Sequence, residues 1–280
     1  MNTSKVWYIT GASQGLGLTL VKELLRKGDR VAATSRNAHV LRQAVELIDS
    51  DRFLPLSVDL SNPDCVEESV QQTLSAFGRI DVVVNNAGYG MLGTLEDATE
   101  QDIRNIFGIN VLAAMRVVKQ VLPVMRRQRS GYIINIGSVA GFAGAPGWSV
   151  YAATKAAIAA FSEVLASDVK EFGIHVTVVE PSGFRTGFLA QDSLAMIPVT
   201  GEDYNAVKDS RDRYLAANGK QPGDPDRAAA ILIDLSEADD PPLHLFLGED
   251  AYRRATEKLT VMSAALERWK TVAIKADFPL

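Results

Sequence analysis

One stretch near the N-terminus decides the fold, residues 6–17, which read VWYITGASQGLG. Its first four residues are apolar and predict a short buried strand, and a glycine-rich turn follows at once. Leu16, Leu20 and Leu24 then recur at helical spacing until Gly28 stops the helix. The stretch therefore predicts a strand, a tight turn and a helix in direct succession.

The same alternation of apolar strand and amphipathic helix continues along most of the chain. Further strands are expected at 31–34, 53–58, 82–84, 132–136, 175–179 and 243–247. Helical stretches separate them, among them 63–77, 100–126 and 150–172. Near-continuous apolar strands between helices indicate a parallel sheet covered on both faces. We therefore expect an α/β protein with a single-domain Rossmann fold, a doubly wound parallel sheet of about seven strands with helices on both faces.

Residues 1–280 are interpreted as one dinucleotide-binding and catalytic domain, although two segments depart from the alternation. The first, residues 184–223, scatters glycine and proline among charged and apolar residues and predicts an irregular substrate lid. The second, residues 249–280, predicts a C-terminal helical extension. Leu259, Met262, Leu266 and Trp269 form one stripe on that helix. The stripe either packs on its own domain, which is the commoner case, or contacts a second subunit.

Composition narrows the class of function. Of the 280 residues, 47% are hydrophobic and 22% charged, and the formal net charge of -5 disfavours a nucleic-acid or anionic-membrane partner. No uninterrupted apolar run approaches the ~18 residues of a membrane span. Cys65 is the single cysteine, which excludes an intrachain disulfide and suits a reducing compartment, so a cytoplasmic location is expected. The three histidines lack metal-ligand spacing, so no metal site is expected, and a small-molecule ligand is the natural partner.

Gly11, Gly15 and Gly17 follow a strand and open a helix, where backbone N–H groups and the helix dipole can approach a pyrophosphate. Their spacing is G-x-x-x-G-x-G, and Ser13, Gln14 and Leu16 complete the expected cofactor loop.

The end of the second strand bears on which dinucleotide binds. An NAD enzyme usually presents a carboxylate there to the ribose 2′-hydroxyl, but this chain has Ser35 and Arg36. A guanidinium suits a 2′-phosphate, so NADP(H) is expected and NAD(H) is the weaker choice. The alternative is that Arg36 is a solvated surface arginine.

Tyr151 and Lys155 are four residues apart in a predicted helix, so both project from one face. A phenol with a pKa near ~10 needs help to act at neutral pH, and a neighbouring ammonium can lower its pKa. Ser138, at a strand end, can donate a hydrogen bond to a substrate oxygen. Any one of these residues alone is more often structural.

Taken together, the motifs resemble those of the classical short-chain dehydrogenases/reductases. They appear in the family's order over roughly the first 190 residues: the loop from Thr10 to Gly17, Asp59-Leu60, Asn85-Asn86-Ala87-Gly88, Asn110, Ser138, Tyr151-Ala152-Ala153-Thr154-Lys155 and Pro181-Ser182-Gly183. The segment 243–251 and the residues after it look more like the steroid- and retinol-dehydrogenase-like branch. That departure puts the usual tetramer in doubt and makes a dimer or a monomer plausible. A homo-oligomer, dimer or tetramer, and a monomer are therefore both left open.

The resemblance implies a role for each position. Asp59 and Leu60 would bracket the adenine, although Asp59 could instead cap the next helix. The adenosine ribose would lie beside Asn86, Ala87 and Gly88, whereas Asn85 is more typical of a sheet-stabilising residue. The nicotinamide would be held by Pro181, Gly183, Phe184 and Thr186.

The resemblance also implies a catalytic set of Asn110, Ser138, Tyr151 and Lys155. Tyr151 would be the acid/base, Lys155 would also bind the nicotinamide ribose, and Asn110 would position a water that links Lys155 to solvent. The chain is therefore expected to be an NADP(H)-dependent oxidoreductase that interconverts a carbonyl and an alcohol. A cofactor-recycling epimerase or lyase and a non-catalytic NADP(H) sensor are the alternatives.

An apolar ketone or aldehyde is the expected substrate, because apolar and aromatic residues cluster in the segments around the site. They are Tyr89, Met91, Phe142, Pro146, Trp148, Phe184, Phe188, Leu189, Met196 and Ile197.

Overall fold

The computed structural model of the chain describes residues 4–46, 51–190 and 193–278. The expected domain 1–280, lid 184–223 and extension 249–280 each include a few positions outside those residues. Every structural statement below concerns the described part of the chain.

The core of the fold is a seven-stranded parallel sheet with the strand order β3-β2-β1-β4-β6-β7-β9. Its strands are β1 (Val6–Ile9), β2 (Arg30–Ser35), β3 (Phe53–Ser57), β4 (Val82–Asn85), β6 (Gly131–Ile136), β7 (Ile174–Pro181) and β9 (His244–Leu247). The strand order reverses between β1 and β4, and parallel sheets bind ligands at such a reversal, outside the carboxyl ends of the strands. The predicted fold class is confirmed.

Helices cover both faces of this sheet. They are α1 (Gly15–Lys27), α2 (Ala38–Val45), α3 (Pro63–Phe77), α4 (Glu100–Phe107), α5 (Ala113–Gln128), α6 (Val139–Phe142), α7 (Ser149–Val169), α8 (Asn205–Ala216), α9 (Pro225–Leu235) and α10 (Glu249–Ala273).

Alternate residues of β1 show how the sheet is buried on both sides. Trp7 and Ile9 pack with Leu20 and Leu24 of α1. Tyr8 points to the opposite face and packs in a second cluster that includes Val70 of α3. Because both faces are covered, the strand is apolar throughout rather than alternating with polar residues.

The predicted helix 100–126 is one helical segment with a local irregularity. A π-helical turn, Gly108–Leu112, joins α4 to α5 and contains Asn110. Turns of this kind are rare and frequently lie at functional sites. By length and composition alone the whole segment Glu100–Gln128 could cross a membrane, and 44% of its most apolar window is buried inside the protein; a single segment of this kind is weak evidence for a membrane span.

The lid is more regular than its composition suggests. A second, two-stranded parallel sheet pairs β5 (Gly90–Leu92) with β8 (Leu194–Met196), and α8 follows within the same insertion. The expectation of an irregular lid is therefore wrong in part. Strand pairing and tertiary packing override the weak local pattern.

The C-terminal helix departs most from the sequence-based prediction. Ala251 and Ala255 are buried at its base, but every described residue from Thr256 onward is exposed. The apolar stripe of Leu259, Met262, Leu266 and Trp269 lies on the same face of the helix as the buried Ala251 and Ala255. It is exposed, however, and Leu266 is 72% exposed. Packing of the stripe on its own domain, the expected arrangement, is wrong.

Candidate active site

The glycine-rich loop ends at the N-terminus of α1, which is open to a ligand. No side chain caps this terminus, and the first turn contains no acidic residue. The first N–H groups of a helix lack partners within it and carry partial positive charge, so they suit an anion. Gly11 and Gly15 have φ values of 65° and 57°, which glycine adopts without strain. The donors fit the pyrophosphate of a dinucleotide.

Close packing explains two of the three glycines. A Cβ on Gly11 would lie 2.7 Å from the Cα of Ala87, and one on Gly17 would lie 2.5 Å from Nδ2 of Asn86. The Asn86 amide donates to the carbonyl oxygens of Thr10, at 3.0 Å, and Gly11, at 2.9 Å. Asn86 and Ala87 therefore hold the loop against the end of β4.

At the end of β2, where the adenosine was expected, Arg36 is exposed and directly follows the buried Ser35. The Ser35 hydroxyl donates to the carbonyl oxygen of Asn37 at 2.7 Å, which fixes the turn. Asp59 accepts from the backbone N–H and hydroxyl of Ser61, and these bonds hold the pKa of the Asp59 carboxyl below its usual value.

The alternative that Asp59 caps the next helix is not what the structure shows, because Asn62 is the N-cap of α3. The carbonyl oxygen of Leu60 accepts from Arg116 of α5 at 3.1 Å. Asp59 and Leu60 thus form a turn beyond the carboxyl end of β3, which the hydrogen bonds with Ser61 and Arg116 hold in place.

Ser138, Tyr151 and Lys155 lie together beyond the carboxyl end of β6. Tyr151 hydrogen-bonds Ser138, which is the N-cap of the one-turn helix α6. The Lys155 Nζ lies 5.8 Å from the centre of the Tyr151 ring. All three side chains are buried, so the sequence residues expected to carry chemistry are brought to one place.

The electrostatics of this cluster differ from the sequence-based expectation that Lys155 lowers the pKa of Tyr151. Burial raises the pKa of Tyr151 to about 12, and the hydrogen bond with Ser138 opposes that rise. Burial also lowers the pKa of Lys155 to about 8. The ammonium donates instead to the carbonyl oxygen of Ile136, at 2.8 Å. The chain by itself therefore keeps Tyr151 protonated, ready to donate a proton.

Asn110 makes three hydrogen bonds. It accepts from the backbone N–H of Tyr89 and donates to the carbonyl oxygen of Tyr89, both at 3.0 Å, and it donates to the hydroxyl of Thr154 at 3.1 Å. These bonds join the π-turn to Tyr89, the residue before β5, and to α7. Asn110 and Lys155 also approach the same point, since a Cβ on Gly88 would lie 3.0 Å from Oδ1 of Asn110 and 3.5 Å from Nζ of Lys155. The water-linked role of Asn110 stays a prediction.

The segment from Pro181 to Thr186 follows β7 and lies over the glycine-rich loop. A Cβ on Gly15 would lie 3.3 Å from the Cβ of Thr186. The Gln14 side chain reaches the lid, where its Nε2 donates to the Ser193 hydroxyl at 2.8 Å. Asn85 has the sheet-stabilising role offered as the alternative, because its amide donates to Asn135 on β6 at 2.8 Å.

An apolar cluster surrounds Tyr151. The Trp148 ring centre lies 5.4 Å from that of Tyr151, and the Phe188 ring centre lies 5.8 Å from it. Of the expected lining residues, the cluster contains Tyr89, Met91, Trp148, Phe188, Leu189 and Ile197.

Four residues expected in this lining lie elsewhere. Phe142 packs on Phe246, with ring centres 5.2 Å apart, and Phe184 packs against the main core. Pro146 and Met196 are exposed. A loop's composition does not reveal which of its side chains turn inward.

Sequence reasoning missed several residues of this region. Tyr214 of α8 contacts Trp148, with ring centres 5.0 Å apart, and the spacing of Val207, Ser210 and Tyr214 could have indicated a helix there. Arg254 and Lys258 of α10 donate to the carbonyl oxygens of Ala143 and Phe142. Gln221, in the last turn of the lid, is buried.

His244 is the histidine that lies among carboxylates, away from this cluster. Its Nδ1 lies 2.9 Å from the buried Glu180 and its Nε2 lies 3.1 Å from Glu163. Burial raises the pKa of Glu180, and the bond to His244 opposes that rise. These two contacts of His244 join β9 to β7 and to α7.

Comparison with known proteins gives a consistent picture. The family described as "short chain dehydrogenase" matches residues 5–196. The chain is 36% identical to oxidoreductase BOA17 of Botryotinia fuckeliana, over 97% of this chain and 98% of that one. It is 39% identical to human retinol dehydrogenase 8, over 76% of this chain and 70% of that protein. A solved short-chain dehydrogenase from Streptomyces avermitilis superimposes with a TM-score of 0.91 and 35% identity, over 99% of this chain and 100% of that one.

Proposed function

The chain belongs to the short-chain dehydrogenase family and is an oxidoreductase of that type, and we propose that it uses NADP(H) to interconvert a carbonyl and an alcohol, with Tyr151 as the acid/base. The observation that carries the proposal is the buried cluster of Ser138, Tyr151 and Lys155 at the carboxyl edge of the sheet. It lies where the open N-terminus of α1 would direct a dinucleotide.

Each residue of the cluster has a separate role in the proposed reaction. When bound, the nicotinamide supplies or accepts the hydride. Tyr151, protonated at neutral pH because burial raises its pKa, donates a proton to the carbonyl oxygen during reduction. Ser138 hydrogen-bonds that same oxygen, and Lys155 supplies positive charge beside the phenol and binds the nicotinamide ribose. Oxidation reverses these steps.

The choice of NADP(H) rests on the end of β2. Arg36 is exposed there, and Ser35 leaves room for a 2′-phosphate without placing a carboxylate against it. In the same way, an apolar ketone or aldehyde is supported by the ring cluster around Tyr151, and likeness to a retinol dehydrogenase agrees with this class.

The test is consumption of NADPH against aliphatic, aromatic and polycyclic ketones and aldehydes. We expect Tyr151→Phe to lose turnover while NADPH still binds, and Tyr252→Phe, a change at an exposed tyrosine of α10, to keep it. A Tyr151→Phe variant with the normal rate would show that Tyr151 is not the acid. Product without net NADPH consumption would favour a recycling epimerase or lyase, and binding without any turnover a sensor.

We also propose a homo-oligomer in the cytoplasm. Two apolar surfaces support association: the α10 stripe and a groove of about 350 Å³ between α5 and α7, lined by residues such as Val118, Leu122, Phe161 and Leu165. The single cysteine suits a reducing compartment. Sedimentation velocity over a range of concentrations would test the first proposal, and fractionation of expressing cells the second.

A further inference from the structure

Gln221 is a buried amide without a partner. Its side chain is 5% exposed, and among the residues that the structure describes neither Nε2 nor Oε1 makes a hydrogen bond. Buried amides are almost always hydrogen-bonded, because leaving one unpaired costs free energy. The unpaired amide therefore points to a ligand that would hydrogen-bond to it.

The position of Gln221 points to the nicotinamide segment. The backbone of Gly223 donates to Gly183 at 3.0 Å and accepts from Arg185 at 2.8 Å. The Arg185 guanidinium donates to the carbonyl oxygen of Gln221 at 3.2 Å. These bonds fix residues 221–223 alongside residues 183–185. Gln221 thus lies directly against the segment that follows β7.

Gly183 leaves a path from this amide to the cofactor side of the segment. A Cβ on Gly183 would lie 3.5 Å from Cγ of Gln221, yet Gly183 itself is exposed. Because Gly183 has no side chain, a rotation of the flexible Gln221 side chain can carry its amide past this position. Thr186, three residues later, lies against Gly15 of the glycine-rich loop, and the ring centre of Phe188 lies 5.8 Å from that of Tyr151, so the chain from Gly183 to Phe188 runs from the pyrophosphate site to Tyr151.

The chemistry of the two unpaired atoms restricts the ligand. A phosphate would satisfy only the Nε2 donor and a cation only the Oε1 acceptor. A primary carboxamide has both an acceptor and donors, so it can form two reciprocal hydrogen bonds with a glutamine amide. The nicotinamide ring carries such a carboxamide.

We propose that Gln221 binds the carboxamide of the nicotinamide and thereby helps to fix which way the ring faces Tyr151. The inference rests on the proposed function, because it requires a nicotinamide cofactor. It adds a cofactor-binding residue at the end of the lid. Binding of the nicotinamide ring would therefore be coupled to ordering of the lid.

The test compares Gln221→Leu with the unchanged protein, using three ligands. NADP+ carries the carboxamide, its 3-acetylpyridine analogue has an acetyl group there and lacks the N–H donors, and adenosine 2′,5′-bisphosphate lacks the ring. We expect the substitution to weaken NADP+ roughly tenfold, the loss of a buried hydrogen-bonded pair, and to leave the bisphosphate unchanged. The preference for NADP+ over its acetyl analogue should shrink to about one. Gln71→Leu, on the exposed face of α3, is the matched control.

Stability without any ligand gives an independent measurement. Leucine removes an unpaired buried amide, so Gln221→Leu should raise the unfolding midpoint of the protein alone while reducing the increase produced by NADP+. A lower midpoint, equal weakening of NADP+ and the bisphosphate, or unchanged NADP+ affinity would overturn the inference. Should the unchanged protein bind NAD+ instead, the same comparison uses NAD+, its acetyl analogue and AMP. Failure of that protein to bind any of these ligands would overturn the proposed function itself.

Discussion

The Lys155 Nζ lies 5.8 Å from the centre of the Tyr151 ring but donates its hydrogen bond to the carbonyl oxygen of Ile136 instead. Both side chains are buried, and burial moves their pKa values apart, up to about 12 for Tyr151 and down to about 8 for Lys155. Each shift opposes the charged form of its group. Burial therefore disfavours both the Tyr151 phenolate that proton donation would leave and the Lys155 ammonium that would stabilise it.

The burial of Lys155 should be visible in the pH dependence of stability. Its pKa falls from 10.5 in the unfolded chain to about 8 in the fold. Between pH 8 and 10 the unfolded chain therefore binds a proton that the folded chain does not, and raising the pH favours folding. Lys155→Met cannot titrate there. Over this window we expect the free energy of unfolding to rise more in the unchanged protein, by roughly 2 to 3 kcal/mol.

Urea unfolding of both proteins at several pH values measures this difference. The titrations of Tyr151 and other groups cancel in it as long as the pH stays below 10. Parallel curves for the two proteins would show that Lys155 keeps its ordinary pKa in the fold.

Arg36→Asp should reverse the cofactor preference. The substitution replaces a donor for the 2′-phosphate with a carboxylate that repels it and can accept from a ribose 2′-hydroxyl. We expect the ratio of kcat/KM for NADPH to that for NADH to fall by at least about tenfold, a loss of one charge-assisted hydrogen bond. Arg42→Asp on α2 makes the same charge change nearby and controls for net charge. An unaltered ratio would mean that Arg36 is only a solvated surface residue.

Gly17 and Gly108 should respond in opposite ways to the same small change. A Cβ on Gly17 would lie 2.5 Å from Nδ2 of Asn86 and 2.7 Å from the carbonyl oxygen of Gly11, so Gly17→Ala must displace the loop. We expect it to destabilise the fold by about 1 to 3 kcal/mol and to weaken dinucleotide binding. Gly108 lies in a helical segment with no atom within 4 Å of its added Cβ. There alanine should be neutral or stabilise by up to about 1 kcal/mol. Denaturant unfolding measures both, and equal effects would contradict this interpretation.

Local motifs predicted the parts of this site that depend on neighbours in sequence. The glycine-rich turn and the pair Tyr151 and Lys155 each follow from a strand end or a helical spacing, and the parallel sheet then brings the strand ends to one edge. The packing of the α10 stripe was predicted wrongly. Periodicity shows which face of a helix is apolar, but it does not show which part of the protein, if any, that face contacts. Gln221 was missed for a related reason, because its burial depends on a pairing with residues nearly forty positions earlier.

Asp97 should hold the lid to the domain. Its carboxylate accepts from the hydroxyls of Thr94 and Thr200, and from the backbone N–H of Thr200 at 3.2 Å. These bonds keep the pKa of Asp97 below its usual value. Asp97→Ala removes all three bonds, so we expect faster proteolysis within residues 193–223 and a higher KM.

Glu96→Gln is the control for Asp97, because glutamine can still accept from the Tyr204 hydroxyl. Lowering the pH below the ordinary pKa of a carboxyl, toward the lower pKa of Asp97, should speed proteolysis of the Asp97→Ala lid less than that of the unchanged lid. Identical digestion of the Asp97→Ala and unchanged proteins would show that the lid is anchored elsewhere.

Arg254 should act on the active site through the loop that carries Ser138. Its guanidinium donates to the carbonyl oxygen of Ala143, and Lys258 donates to that of Phe142, so two cations hold the C-terminal end of α6 while Ser138 caps its start. Positive charge at a helix C-terminus is favourable, and here it also fixes the helix in place. We expect Arg254→Ala to speed amide hydrogen exchange at Gly141 and Ala143 and to lower kcat/KM severalfold. Arg253→Ala should do neither, because Arg253 pairs only with Asp250 and Glu257 on its own helix among the described residues. Equal exchange rates in both variants would mean that α10 lies beside the active-site loop without constraining it.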